Sequence, residues 1–170
     1  IRGAFEYQGQ KCSAMSRAYL PSSIWNELKS KYLSELKSVK VGPPDDFSNF
    51  MNAVIDKKAF KSITHYIQFA EKSNEAEIIS GGTYDDTTGY YISPTTILTT
   101  NPNFKTLEEE IFGPVLTIYI YDPSEWYEVL KLIDNTSPYA LTGCVMGKNR
   151  GAIKEATDHL THSAGNFYIN

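Results

Sequence analysis

The chain has 170 residues, of which 41% are hydrophobic and 21% charged; this is enough for one domain with a substantial core and too little for two comfortable ones. Such a composition is ordinary for a globular protein and argues against disorder over most of the length. A formal net charge of −4 with scattered lysines gives no basic stripe, so nucleic acid and anionic membrane are not expected as partners and a small molecule is.

In chain order, Arg17 to Leu20 reads as the first β-like run. Ser23 can cap a helix with Ile24, Leu28, Tyr32 and Leu36 on one stripe, Glu27 early and Lys37 late to suit the helix dipole. That helix gives out near Gly42-Pro43-Pro44, and Asp45 to Asn52 reads as a surface loop. Asp56 opens a second helix, with Phe60, Ile63, Ile67 and Ala70 on one face, which closes in the polar stretch Glu71 to Glu75. Glu77 to Ser80 and Tyr90 to Leu98 are strands, and Gly81-Gly82 with Asp85 to Gly89 mark turns of an antiparallel excursion between them. In Val115 to Tyr121, Leu116, Ile118 and Ile120 alternate with Thr117, Tyr119 and Tyr121, which suggests one packed and one partly polar face. Asp122-Pro123-x-Glu125 has capping-box spacing with Pro at the first helical position, ahead of Trp126, Leu130 and Ile133. Leu141 to Met146 is a further strand; Asn149 starts a last helix with Ile153, Ala156 and Leu160 inward, and Gly165 to Ile169 ends the series. Alternating strands and helices predict an α/β layered domain, a largely parallel twisted sheet flanked by helices. No internal repeat or low-complexity tract is present.

Cys12 and Cys144 are separated by most of the chain, a spacing that suggests a reducing compartment rather than a disulfide framework or zinc cluster. Cys144, in Leu141-Thr142-Gly143-Cys144-Val145-Met146, reads as an apolar strand residue. No apolar run approaches a membrane span and no signal-peptide pattern opens the chain, so a soluble protein is expected. His159 and His162 share one predicted helix, but no Cys or carboxylate set completes a metal site around them. Asn135-Thr136-Ser137 matches a glycosylation acceptor formally; Pro138 follows and no secretory context exists.

Chemistry centres on Cys12, in Phe5-Glu6-Tyr7-Gln8-Gly9-Gln10-Lys11-Cys12-Ser13-Ala14. A loop rich in small residues can present a thiol to a carbonyl carbon, and Lys11 beside the sulfur would favour the thiolate. By spacing alone a structural thiol, a small buried hydrophobe, is the favoured reading over a nucleophile. Glu108, Glu109 and Glu110 read by themselves as a solvated acidic turn and Phe112 as core.

The Cys12 stretch resembles the catalytic-cysteine loop of the aldehyde dehydrogenase superfamily, where Gly-Gln-x-Cys carries the nucleophile. Phe5-Glu6-Tyr7 with Cys12-Ser13-Ala14 looks most like the branch that oxidises glutamate semialdehyde, the delta-1-pyrroline-5-carboxylate dehydrogenases. Glu109-Glu110-Ile111-Phe112-Gly113-Pro114-Val115 is similar to the family's second signature, and Gly165-Asn166-Phe167-Tyr168-Ile169-Asn170 resembles the strand that follows it. Three matches in the family's order extend the resemblance over the whole chain.

The resemblance implies an NAD-dependent enzyme of proline catabolism that converts L-glutamate γ-semialdehyde to glutamate through a cysteine thiohemiacetal and thioester. It makes Cys12 the nucleophile, with its N–H as one side of the oxyanion hole. It makes Glu110 the acceptor for the hydroxyls of the nicotinamide ribose, Phe112 the aromatic against the nicotinamide, and Ser13 a hydroxyl for the substrate carboxylate; a loop Ser bonded to its own backbone is the alternative for Ser13. No metal is implied. Near Ala59 and Ser62, where some relatives carry a Gln and a Lys that contact the cofactor, this chain has neither, so no cofactor role is assigned there. Residues 1–170 are expected to be a portion of a catalytic domain, with the general-base Glu, the oxyanion Asn and the cofactor-binding half before Ile1 and the carboxylate-gripping loop after Asn170; by itself it is expected to be inactive. The parent is expected to be a homo-oligomer, in the mitochondrial matrix if eukaryotic and cytoplasmic otherwise. The competing readings are an aldehyde dehydrogenase of different substrate and a non-catalytic α/β interaction domain that retains the motif.

Overall fold

The computed structural model describes residues 1–138 and 140–170. A short helix α1 (Arg2–Phe5) and a 3-10 turn (Glu6–Gly9) precede β1 (Arg17–Pro21) and α2 (Ser22–Lys37). Then come α3 (Lys57–Lys72), β2 (Ala76–Ser80), β3 (Tyr84–Asp85), β4 (Tyr91–Ile92), β5 (Thr95–Thr99), α4 (Lys105–Glu108) and β6 (Val115–Tyr121). A 3-10 turn (Pro123–Glu125) leads into α5 (Trp126–Asn135), followed by β7 (Thr142–Val145), α6 (Arg150–His159) and β8 (Asn166–Ile169).

The main sheet has the order β1-β6-β5-β2. β6 runs parallel to β1, with Ala18 beside Ile118, and parallel to β5, with Ile97 beside Thr117. Only β2 is antiparallel, to β5; β3 and β4 form the expected antiparallel excursion, and β7 and β8 form a separate parallel pair. The largely parallel α/β architecture therefore holds.

The sheet is covered on both faces. On one, Phe60, Ile63, Ile67 and Ala70 of α3 pack with Ile97, Val115, Leu107 and Phe104. On the other, Ala4 and Phe5 of α1 and Trp25 and Leu36 of α2 pack with Leu116, Ile118 and Met51. The partly polar face of β6 is covered as well as the packed one: Thr117 is fully buried, its hydroxyl bonded to Thr106 Oγ1 at 2.7 Å. A central strand in a three-layer sandwich has no solvent face, so Thr survives there only with a partner. Leu130, Ala156 and Leu160 make a smaller core under β7 and β8, joined by Trp126, Ile133, Val145 and Phe167.

The caps on α3 and ahead of α5 are as the sequence indicates. The Asp56 carboxylate accepts from the Ala59 N–H at 2.7 Å, and Asp122 and Glu125 close a capping box. Asn149 Oδ1 accepts from Gly151 and Ala152 at the start of α6. At α2 the expectation fails. Pro21 occupies the cap position without a side-chain bond, and the buried face carries Trp25 and Leu36, leaving Ile24 49% and Leu28 38% exposed. The large Trp25 ring, tilted against Tyr32 at 6.3 Å, takes the core position that Ile24 was expected to fill. Tyr90 to Leu98 is not one strand: Ser93-Pro94 separates β4 from β5, since proline has no N–H for a sheet ladder. The Asp45–Asn52 stretch is solvated at its start, but Met51 is fully buried and bridges Val41. Cys144 lies on β7 as expected but is exposed, because β7 is in a two-stranded sheet with little covering it.

Candidate active site

The chain before Cys12 makes a left-handed turn, with φ of 56° at Tyr7, 60° at Gln8 and 65° at Gly9. For Tyr7 and Gln8 that conformation costs roughly 1–2 kcal/mol each, so it persists only where neighbouring contacts offset it. At Gly9 the reason is close approach. A Cβ there would lie 2.8 Å from the Gly113 carbonyl carbon and 2.9 Å from the Ala4 oxygen. The backbone of the cysteine loop therefore rests directly on Gly113 of the second motif, and two stretches remote in sequence become one locus.

Cys12 and Ser13 are the central residues of a turn closed by the Ala14 N–H to the Lys11 carbonyl at 3.0 Å. Both are exposed, so a thiol buried as core is ruled out by position. Among the described residues the Cys12 N–H donates to no protein acceptor, which leaves it open to an incoming oxygen. The Ser13 hydroxyl makes no hydrogen bond among the described residues either, so the reading of it as bonded to its own backbone is not realised. Lys11 does not serve the sulfur as expected. Its ammonium is 2.6 Å from Glu6 Oε2, and Arg2 holds the other oxygen of Glu6 at 2.9 Å. The Lys11 ammonium and its hydrogen bond, with lesser help from Arg2, hold the Glu6 carboxyl below its usual range.

In the second motif α4 ends at Glu108, and the three glutamates separate. Glu109 receives the Tyr66 hydroxyl at 2.5 Å and lies 3.9 Å from Lys105. Glu110 is exposed, and among the described residues its carboxylate has no hydrogen-bond or ionic partner. Phe112 is not core. It is 42% exposed, and its φ of 55° swings the ring outward while Ile111 and Gly113 turn in. A positive φ at a bulky aromatic is an outlier that marks a constrained position. Gly113 admits no side chain, since a Cβ would meet Ile63 Cδ1 at 2.5 Å.

The Phe112 ring borders an open pocket of about 470 Å³. It is lined by Tyr7 and Gln10 of the cysteine loop, by Ile55 and Asp56 with Lys58, Ala59 and Ser62 of the first turns of α3, and by Ile111 with Phe112. The volume lies in the range of small-molecule and cofactor sites. Cys12, Ser13 and Glu110 are outside its lining, on the adjoining surface. Ala59 and Ser62 are part of it, although the sequence reading gave that position no role. Tyr7 and Gln10 line it too, and the sequence offers one cue to them, the run Gln-Gly-Gln before the cysteine; left-handed backbone at non-glycine residues leaves no mark in sequence. A larger open depression of about 610 Å³, between Val41–Pro43 and the β3–β4 hairpin, holds none of the motif residues. Among the described residues no His, Cys, Asp and Glu cluster could hold a metal ion, and His159 packs its ring on Tyr127 at 5.0 Å. No helix among them is long and apolar enough to cross a membrane.

Comparison with known proteins adds independent information. Residues 1–170 match the aldehyde dehydrogenase family. The chain is 55% identical over 170 residues to the mitochondrial delta-1-pyrroline-5-carboxylate dehydrogenase of Dictyostelium discoideum, covering 100% of this chain and 30% of that relative. To the human protein of the same name it is 44% identical over 171 residues, with the same two coverages. Among solved structures it is similar to the delta-pyrroline-5-carboxylate dehydrogenase of Mycobacterium tuberculosis bound with NAD: TM-score 0.92, 40% identity, 99% of this chain and 30% of that one. The chain thus spans about 30% of the length of the curated relatives it matches.

Proposed function

The chain belongs to the aldehyde dehydrogenase family, and from that premise we propose that it forms the cysteine-bearing part of the catalytic domain of an NAD-dependent enzyme oxidising L-glutamate γ-semialdehyde to glutamate. The observation that carries the proposal is the Gly9–Gly113 contact, which sets an exposed Cys12 with an open N–H beside a second motif whose Phe112 and Glu110 are both turned to solvent. The names of the relatives, at up to 55% identity, support the substrate.

The residues present fit a nicotinamide cofactor. Phe112 offers a flat apolar face at a pocket edge, a position a core residue would not take at that backbone cost. Glu110 is an acceptor-only carboxylate without a donor among the described residues, suited to paired ribose hydroxyls. NAD, when bound, accepts the hydride that leaves the aldehyde carbon.

Cys12 supplies the covalent chemistry. Its thiolate forms a C–S bond to the aldehyde carbon, and the carbonyl electron pair moves to the oxygen, to which the Cys12 N–H can donate a hydrogen bond. Loss of hydride from that carbon leaves a thioester. Water then adds to the thioester carbon, giving up its protons to solvent, the C–S bond breaks, and glutamate departs as the thiolate is restored. Sulfur suits both halves because it adds quickly and also leaves. Ser13, adjacent on the same exposed turn and without a hydrogen-bond partner among the described residues, is placed to donate to a carboxylate carried by the substrate.

Mitochondrial location is supported by the names of the eukaryotic relatives, and a homo-oligomeric parent is proposed with it. The test uses the full-length parent. Cys12→Ala should abolish turnover of every aldehyde, whereas Ser13→Ala should lower kcat/KM for glutamate semialdehyde by roughly 1–3 kcal/mol while sparing propanal. Turnover that survives Cys12→Ala overturns the dehydrogenase reading. Equal losses for both aldehydes in Ser13→Ala overturn the substrate reading alone.

A further inference from the structure

Gln8 and Gln10 flank the glycine that joins the two motifs, and both direct their side chains to the segment that leads into α3. Gln8 is 7% exposed. Its Nε2 donates to the Ala53 carbonyl at 3.0 Å and its Oε1 accepts from the Asn52 N–H at 3.1 Å. Gln10 Oε1 accepts from the Ile55 N–H at 3.0 Å. Residues 52–55 belong to no strand. Their other edge is held by the Val54 N–H to the Tyr90 carbonyl at 2.9 Å and by Asn52 Nδ2 to the Gly42 carbonyl at 3.0 Å. The two glutamines thus stand where a neighbouring strand would, and pair with backbone groups that no strand engages.

The next residue, Asp56, caps α3, and the first turns of α3 carry Ala59 and Ser62 into the lining of the pocket, together with Phe112 and Tyr7. Gln10 lines the same pocket. The cysteine loop and the start of α3 are remote in sequence and belong to different elements, so their separation is set by what ties them. The three glutamine bonds are such ties, and the left-handed backbone at Gln8 is what aims its carboxamide at Asn52 and Ala53.

We propose that Gln8 and Gln10 are positioning residues for the cofactor: they clamp the cysteine loop to the entrance of α3 and so fix the width of the pocket beside Phe112. The inference rests on the reading of that pocket as the nicotinamide end of an NAD site. A glutamine pair serving only to stabilise the fold would, when removed, lower the melting temperature and leave NAD affinity unchanged.

The experiment measures NAD binding to the full-length parent by calorimetry, for wild type and for Gln8→Met combined with Gln10→Met, which keeps side-chain bulk and removes all three bonds. Affinity for NAD should fall by about tenfold, the scale of one to two net hydrogen bonds lost from the tie. In hydrogen exchange the Asn52 and Ile55 amides should lose protection while Val54, held by Tyr90, keeps it. Gln10→Met alone should show the same direction with a smaller loss, and carries the test if the double variant does not fold; Gln10→Glu, which retains the acceptor for Ile55, should bind NAD more tightly than Gln10→Met. NAD affinity unchanged in variants whose Asn52 and Ile55 amides have become labile overturns the positioning role and leaves the proposed function standing. A wild-type parent that binds no NAD overturns both.

Discussion

Replacing Gly9 by Ala tests the contact on which the site is built. Alanine at a φ of 65° costs roughly 1–2 kcal/mol. The added methyl would also press on the Gly113 carbonyl carbon at 2.8 Å and the Ala4 oxygen at 2.9 Å. Both are backbone atoms, so no rotamer change relieves the clash, and overpacking of this kind costs about 1–3 kcal/mol. The sum, about 2–5 kcal/mol, corresponds to a fall in Tm of roughly 4–20 °C for a chain of this size. Urea unfolding followed through the fluorescence of Trp25, 5% exposed in the core beside α1, reads the change. Gly3→Ala is the control: it lies in α1 with nothing within 4 Å of the added Cβ, and should be neutral or gain up to about 1 kcal/mol from helix propensity. A Gly9→Ala variant within about 0.5 kcal/mol of wild type, the ordinary range of a surface substitution, would refute the claim that the two motifs pack backbone on backbone.

Three further outcomes are expected. Asp56→Ala should lower stability by about 1 kcal/mol by freeing the Ala59 N–H, with Asp56→Asn recovering most of it; a urea midpoint unmoved by the Ala variant would count against the cap. The Glu6 carboxyl, held low mainly by Lys11, should titrate in carbon-detected NMR below its ordinary 4.5 and move back toward it in Lys11→Met. Because the folded state binds this proton more weakly than the unfolded one, the pair's contribution is complete above the unfolded pKa and disappears as pH falls through the folded one; a loss appearing on the alkaline side instead would show the sign to be wrong. In the full-length parent, Glu110→Gln should raise the KM for NAD or lower kcat/KM for it by about 1–2 kcal/mol, the scale of a hydrogen bond to a charged group, and an unchanged value would remove Glu110 from the site.

Much of the fold was legible because it rests on local chemistry. Asp56, Asp122 with Glu125, and Asn149 each announce a helix start by a side chain that reaches its own first turn. The 3.6-residue spacing of Phe60, Ile63, Ile67 and Ala70 states which face of α3 is inward. The order of strands and helices implied a largely parallel sheet, and the residues around Cys12 and Glu110 resembled one family's motifs. Tertiary structure decided what depends on neighbours remote in the chain. Thr117 became core because sheet layers close over both its faces, and Trp25 displaced Ile24 from the α2 stripe because its larger ring fills the space under the sheet. Lys11 turned from the sulfur to Glu6, and Phe112 turned outward, because the left-handed turn at Tyr7 and Gln8 and the Gly9–Gly113 contact set where each backbone points. A residue type can state the preference of its own turn; it cannot state which carbonyl, forty or a hundred residues away, will occupy the space beside it.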